Sequence, residues 1–89
     1  MKIASSKVPS QLVVNQWDIL VNVEAGAGEQ IKRVRVVLNG IQLEDADLDE
    51  PTAYYSSQFN DRGSASTNRL VVTAFDVKGV QTRAENRWS

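Results

Sequence analysis

The sequence predicts an all-β fold, a β-sandwich of about seven short antiparallel strands. Three observations carry this. Apolar residues recur with period two along most of the chain, while helical periodicity is nearly absent. Gly, Asn, Asp and Pro punctuate the chain every few residues with specific turn chemistry. With 89 residues, 42% of them apolar, there is material for one core and one domain, 1–89, with an ordered core over about 8–88.

The first strand is expected over Lys7–Val14, where an early Pro9 suits an edge position. Trp17, Ile19, Val21 and Val23 alternate with Asp18, Leu20, Asn22 and Glu24 in the second, which the flexible Ala25-Gly26-Ala27-Gly28 ends. Ile31 to Leu38 is the third. Val34, Val36 and Leu38 share one of its faces, and Arg33, Arg35 and Val37 share the other. Asn39-Gly40 is a hairpin signal, because both central residues of a type I′ turn need positive φ. Ile41–Glu44 reads as a short return strand, followed by an acidic loop, EDADLDE, over 44–50, which Pro51 closes. Thr52–Phe59 is the next strand. The Gly/Ser-rich NDRGSASTN at 60–68 is a loop, and Arg69–Asp76 and Val80–Trp88 are the last two strands.

The final hairpin predicts its own register. With Val77-Lys78-Gly79 as a three-residue loop and Gly79 in the left-handed region, Asp76 faces Val80. Leu70, Val72 and Ala74 then lie opposite Asn86, Ala84 and Thr82 on an inner face, with Trp17 and Trp88 expected to fill the space their small neighbours leave. Arg69, Val71, Thr73 and Phe75 lie opposite Arg87, Glu85, Arg83 and Gln81 on the outer face. A slip of one residue would bury the arginines, so the register is strongly specified. The turn itself reads as geometry: Asp76 accepts backbone N–H bonds and Gly79 supplies positive φ.

The pattern NxLxVxAxDxxG, formed by Asn68, Leu70, Val72, Ala74, Asp76 and Gly79, resembles the last hairpin of bacterial immunoglobulin-like modules. VxVxLNG, formed by Val34, Val36, Leu38, Asn39 and Gly40, resembles their third strand and turn. The resemblance spans roughly Val8 to Trp88. It implies an immunoglobulin-like Greek-key sandwich of the fibronectin- and cadherin-like kind. Such domains act as spacers, adhesion modules or appendages in larger bacterial surface, secreted or virion proteins. The antibody-type cysteine pair is absent, Trp17 falls on the second strand rather than the third, and no tyrosine corner is present. The expected location is extracellular or at the cell surface, through a parent chain. The start, MKIASSKVPS, has no apolar h-region and reads as a cut within a longer chain, because strand pattern begins almost at once.

Several function classes lose their chemistry at this level. There is no His and no Cys, hence no disulfide, thiolate or imidazole ligand. Ser-x-x-Lys and phosphate-cradling glycine motifs are missing. The chain therefore reads as noncatalytic and without a cofactor. Its net charge of -1 and balanced charges argue against nucleic acid, and no apolar run is long enough for a membrane-spanning helix.

Three candidate sites remain. Asp45, Asp47 and Asp49 mimic the start of a calcium loop. Glu50 stands where an EF-hand needs glycine and Ser56 where it needs the bidentate Glu, so only a looser Ca2+ site between domains is left. Tyr54 and Tyr55 point to opposite sides of their strand, one to the core and one to solvent. An exposed ring there could stack on a sugar, which gives the alternative reading: a glycan-binding appendage of a secreted enzyme. The third site is the outer face carrying Arg33, Arg35, Arg69, Phe75, Arg83 and Arg87, expected to dock a neighbouring domain or another protein. Arg69 opposite Arg87 needs an anion between them, from Glu85 or from a partner's carboxylate, sulfate or phosphate.

Overall fold

Seven antiparallel strands form two sheets in the computed structural model, which describes residues 1–11, 16–61 and 67–88. They are β1 (Lys2–Pro9), β2 (Trp17–Glu24), β3 (Ile31–Leu38), β4 (Ile41–Thr52), β5 (Tyr54–Asp61), β6 (Asn68–Asp76) and β7 (Gln81–Trp88). One sheet has the order β1-β2-β5 and the other β4-β3-β6-β7. Their inner faces pack together, as amphipathic sheets must to bury one side. The core is Ile19, Val21 and Val23 from β2, Ile31, Val34 and Val36 from β3, and Leu70, Val72 and Ala74 from β6. All nine come from the central strands of the two sheets.

Ile31 and Val34 are both buried although an odd spacing separates them. A register shift between Ile31 and Arg33 absorbs the extra residue, so Ile31 joins the face of Val34 and Val36. The β3–β4 hairpin turns at Asn39-Gly40 with φ of 53° and 80°, both positive as that dipeptide demands. Asn39 also ties the turn to β6. Arg69 N–H donates to Asn39 Oδ1 at 2.9 Å, and Asn39 Nδ2 donates to Asn68 Oδ1 at 2.9 Å.

The β6–β7 hairpin has the register read from its sequence, from Arg69↔Arg87 to Phe75↔Gln81. Gly79 sits at φ 81°. The Asp76 carboxylate, 8% exposed, accepts the N–H groups of Lys78 and Val80 at 2.8 and 2.9 Å. The turn is a corner held by its own hydrogen bonds.

Three expectations are corrected. The first strand is Lys2–Pro9, not Lys7–Val14, of which residues 12–14 lie outside the described residues. Ala4-Ser5-Ser6 gives no alternation signal, yet Lys2 to Pro9 pair without interruption with β2, and Ile3 packs on the core. Sequence alternation alone favoured the more apolar residues after it.

The acidic segment 44–50 is not a loop but the middle of β4. Ala46 and Leu48 point inward while Asp45, Asp47 and Asp49 point outward, a period-two pattern. Aspartate disfavours strands on average, but here the carboxylates face the arginines of β3 across the ladder: Arg33↔Asp47 and Arg35↔Asp45.

Trp17 does not fill the core. It is 44% exposed at the start of β2, where the Lys7 ammonium lies 5.1 Å from its ring centroid. Trp88 does pack against the core.

Candidate functional site

The outer face of the β4-β3-β6-β7 sheet is built by alternation. On β3 it receives Arg33, Arg35 and Val37, and the ladder sets these beside Phe75, Thr73 and Val71 of β6. Across the next ladder lie Gln81, Arg83 and Glu85, with Arg69 opposite Arg87. All six expected partner-binding residues, Arg33, Arg35, Arg69, Phe75, Arg83 and Arg87, therefore share one face.

Phe75 faces outward but is only half-exposed, because two guanidinium groups cover it. The Arg33 and Arg35 Cζ atoms lie 5.3 and 5.8 Å from its ring centroid. These are cation–π contacts, which restrain two otherwise flexible side chains over the ring.

Carboxylates then divide the arginines into two groups. Asp45 binds Arg33 through both oxygens, Nε–Oδ1 at 2.7 Å and Nη2–Oδ2 at 2.6 Å, a bidentate pair. That hydrogen bond, with the charges of Arg33 and Arg35, holds the Asp45 carboxyl below its usual range against the opposing effect of desolvation. Glu85 supplies the anion that the Arg69–Arg87 pair requires. Its oxygens lie 2.5 Å from Arg69 Nη2, 3.1 Å from Arg83 Nη2 and 3.5 Å from Arg87 Nη2. The Arg69 hydrogen bond, then the charges of the three arginines, keep the Glu85 carboxyl low in pKa. Exposed ion pairs of this kind add little to stability. Their effect is to set the positions of the groups on the face.

Arg35 is served least well. Its Nε is buried with no hydrogen-bond partner among the described residues, and Asp45 Oδ2 lies 3.8 Å away. Arg35 borders an open depression of about 390 Å³, together with Arg69, Arg83, Val37, Val71 and Thr73.

The Asp45, Asp47 and Asp49 side chains line one side of β4. Asp45 is held by Arg33, and Lys32 Nζ lies 3.4 Å from Asp47 Oδ1. Among the described residues, no group of three or more His, Cys, Asp or Glu side chains is placed to hold a metal ion. The sequence singles out Asp45, Asp47 and Asp49 for cation chemistry, whereas the structure pairs Asp45 with Arg33 and Asp47 with Lys32. The alternation with Ala46 and Leu48 was the signal that could have revealed this pairing.

Tyr54 and Tyr55 do not make one platform. Tyr54, 53% exposed, lies on the outside of the β1-β2-β5 sheet and donates its hydroxyl to Asn22 Oδ1 at 2.7 Å. Tyr55 points inward and donates to Glu44 Oε1 of the facing sheet. Burial, then the Glu44 carboxylate, push the Tyr55 phenol up to about 12. The pair ties the two sheets together.

The sequence matches no protein-family model and no curated protein.

Proposed function

We propose that this chain is a noncatalytic interaction module, an immunoglobulin-like Greek-key domain of a larger bacterial surface, secreted or virion protein, and that its arginine face docks a neighbouring domain or another protein. The grouping of the first, second and fifth strands in one sheet and the third, sixth and seventh in the other supports this topology, while β4 pairs with β3 where the antibody constant arrangement sets the fourth strand beside the fifth. The location of the module, extracellular or at the cell surface, follows from the same resemblance.

The observation that carries the docking role is the composition of one sheet face. Five arginines and a stacked phenylalanine are held in place there, with a depression between them. Arginine and aromatic side chains are the types most enriched where proteins bind each other, because their planar groups lose little entropy when ordered. Here that ordering is largely complete before any partner arrives, which lowers the cost of binding.

The test is carbodiimide cross-linking in the parent protein, which couples carboxylates to nearby amines. Links are expected from Asp45, Asp47 or Glu85 to another domain or chain. They should weaken when Arg35 and Arg83 are both changed to Glu, in a variant whose melting curve confirms folding. Unchanged cross-linking would refute the docking role.

A further inference from the structure

The depression on this face is flanked by two arginines that are not direct ladder partners, Arg35 and Arg83. Arg69 and Arg87 already share Glu85. Arg33 is taken by Asp45. Among the described residues the Arg35 guanidinium has only one ion pair, at 3.8 Å, with Asp45, and Arg83 donates from Nη2 to Glu85 at 3.1 Å. Both border the same depression.

Thr73 lies opposite Arg35 on one ladder and opposite Arg83 on the other. The two arginine backbones are thus two strand spacings apart, roughly 10 Å. A single carboxylate above Thr73 is within reach of both long side chains. Next to it, Val37 and Val71 are paired across the β3–β6 ladder and line the depression with apolar surface. A cationic clamp beside an apolar floor fits a ligand with one carboxylate next to an apolar side chain.

The charges also exclude a polyanion. Asp45, Asp47 and Glu85 stand on the same face among the arginines, and the chain as a whole carries -1. A nucleic acid or sulfated glycan needs a continuous basic track and would meet these carboxylates on either side of the clamp.

We infer that the Arg35–Arg83 depression takes an acidic, amphipathic peptide segment of a partner protein, with one carboxylate between the two guanidinium groups and an adjacent apolar side chain on Val37 and Val71. This rests on the docking role proposed above and specifies what is docked.

The experiment is an NMR titration of the isotope-labelled protein with a blocked pentapeptide of alternating valine and glutamate. The same peptide with glutamine or with lysine in place of glutamate, and a heparin oligosaccharide, are run beside it. The glutamate peptide should shift the amides of Arg35, Val37, Val71, Thr73 and Arg83. Its affinity should fall about tenfold for the glutamine peptide, and by a similar factor in Arg35→Gln and in Arg83→Gln, as expected for losing one charge-assisted hydrogen bond. Lys2→Gln, on the edge strand of the other sheet, should change nothing, and the spectra themselves report whether each variant is folded. If the glutamine peptide binds the same face equally well, carboxylate recognition is wrong while the docking role stands. Tighter binding of heparin at the same residues, stronger binding of the lysine peptide, or no shift with millimolar glutamate peptide also overturns the inference. Shifts confined to the outer face of the β1-β2-β5 sheet overturn both proposals.

Discussion

The two sheets share one core but present opposite chemistry to water. Outside the β1-β2-β5 sheet, the cross-strand neighbours are mostly neutral: Ala4 beside Asn22 and Ser56, then Ser6 beside Leu20 and Gln58. Tyr54 spends its hydroxyl on Asn22 there. Outside the β4-β3-β6-β7 sheet, arginines alternate with carboxylates across four strands. Both surfaces satisfy the same requirement, a solvated outer face that does not compete with the core. Neutral amides and hydroxyls meet it through a few cross-strand hydrogen bonds, such as Tyr54 to Asn22 and Gln58 to Asp18, or through water. Charged groups meet it only when each finds a counterion, so their positions become fixed. The difference teaches that the second face is ordered by its own electrostatics before anything binds.

The largest effect should come from what the sheets have in common. Leu70 is 1% exposed in the core, and Leu70→Ala should cost about 2–5 kcal/mol. That is a large share of the ~4–13 kcal/mol expected for a chain of this length. Arg69→Ala, one residue away on the charged face, should cost far less. Urea unfolding midpoints compare the two. Equal losses would break the distinction between a buried core and a face that is only organised by charge.

The bond between the sheets comes next. Tyr55→Phe removes the hydrogen bond to the Glu44 carboxylate and should cost about 1.5–3 kcal/mol. Folding favours the neutral phenol, so its pKa rises from the ordinary 10 to about 12. The corresponding stability is complete below pH 10 and is lost as pH rises through about 12. Ultraviolet titration of the phenols and alkaline unfolding of both proteins would check this. An alkaline loss that survives in Tyr55→Phe would assign it elsewhere.

The smallest effect belongs to the charged face itself. Asp45 and Glu85 have carboxyls held below their ordinary 3.8 and 4.5 by Arg33 and Arg69. Their contribution is present above those ordinary values and is lost as pH falls through the lowered ones. Carboxyl carbon NMR should place both midpoints low at low ionic strength and nearer ordinary in high salt. Glu85→Gln should then leave Arg69 and Arg87 facing each other without an anion, and any loss of stability should shrink in salt. Midpoints at ordinary values would mean that the network does not persist in solution.

Much of this comparison was legible in the chain. The β6–β7 register followed from one glycine and the need to keep arginines out of the core. The Asn39-Gly40 hairpin followed from backbone stereochemistry. The same logic gathered the arginines onto one face. Other parts were not legible, for reasons that are local. Ala4-Ser5-Ser6 has no pattern of its own and becomes a strand only because β2 offers a free edge. The segment 44–50 has low strand propensity, and its fate depends on Arg33 and Arg35 across the same hairpin, a pairing visible only once the β3–β4 register is set. Trp17 lies on the same parity as Ile19, yet it sits at a strand end, where the sheet no longer covers it.

By itself, then, the sequence determined which residues turn, which alternate and which side of each strand is apolar, because these depend on stereochemistry within a few residues. It also excluded thiol and imidazole chemistry outright. Only the tertiary structure decided which acid neutralises which arginine: Asp45 for Arg33, Glu85 for Arg69 and Arg87. Those partnerships depend on the register and side-chain geometry within the β3–β4 and β6–β7 hairpins, which local pattern does not give. Only the fold could reveal that Arg35, paired no closer than 3.8 Å, borders one depression together with Arg83.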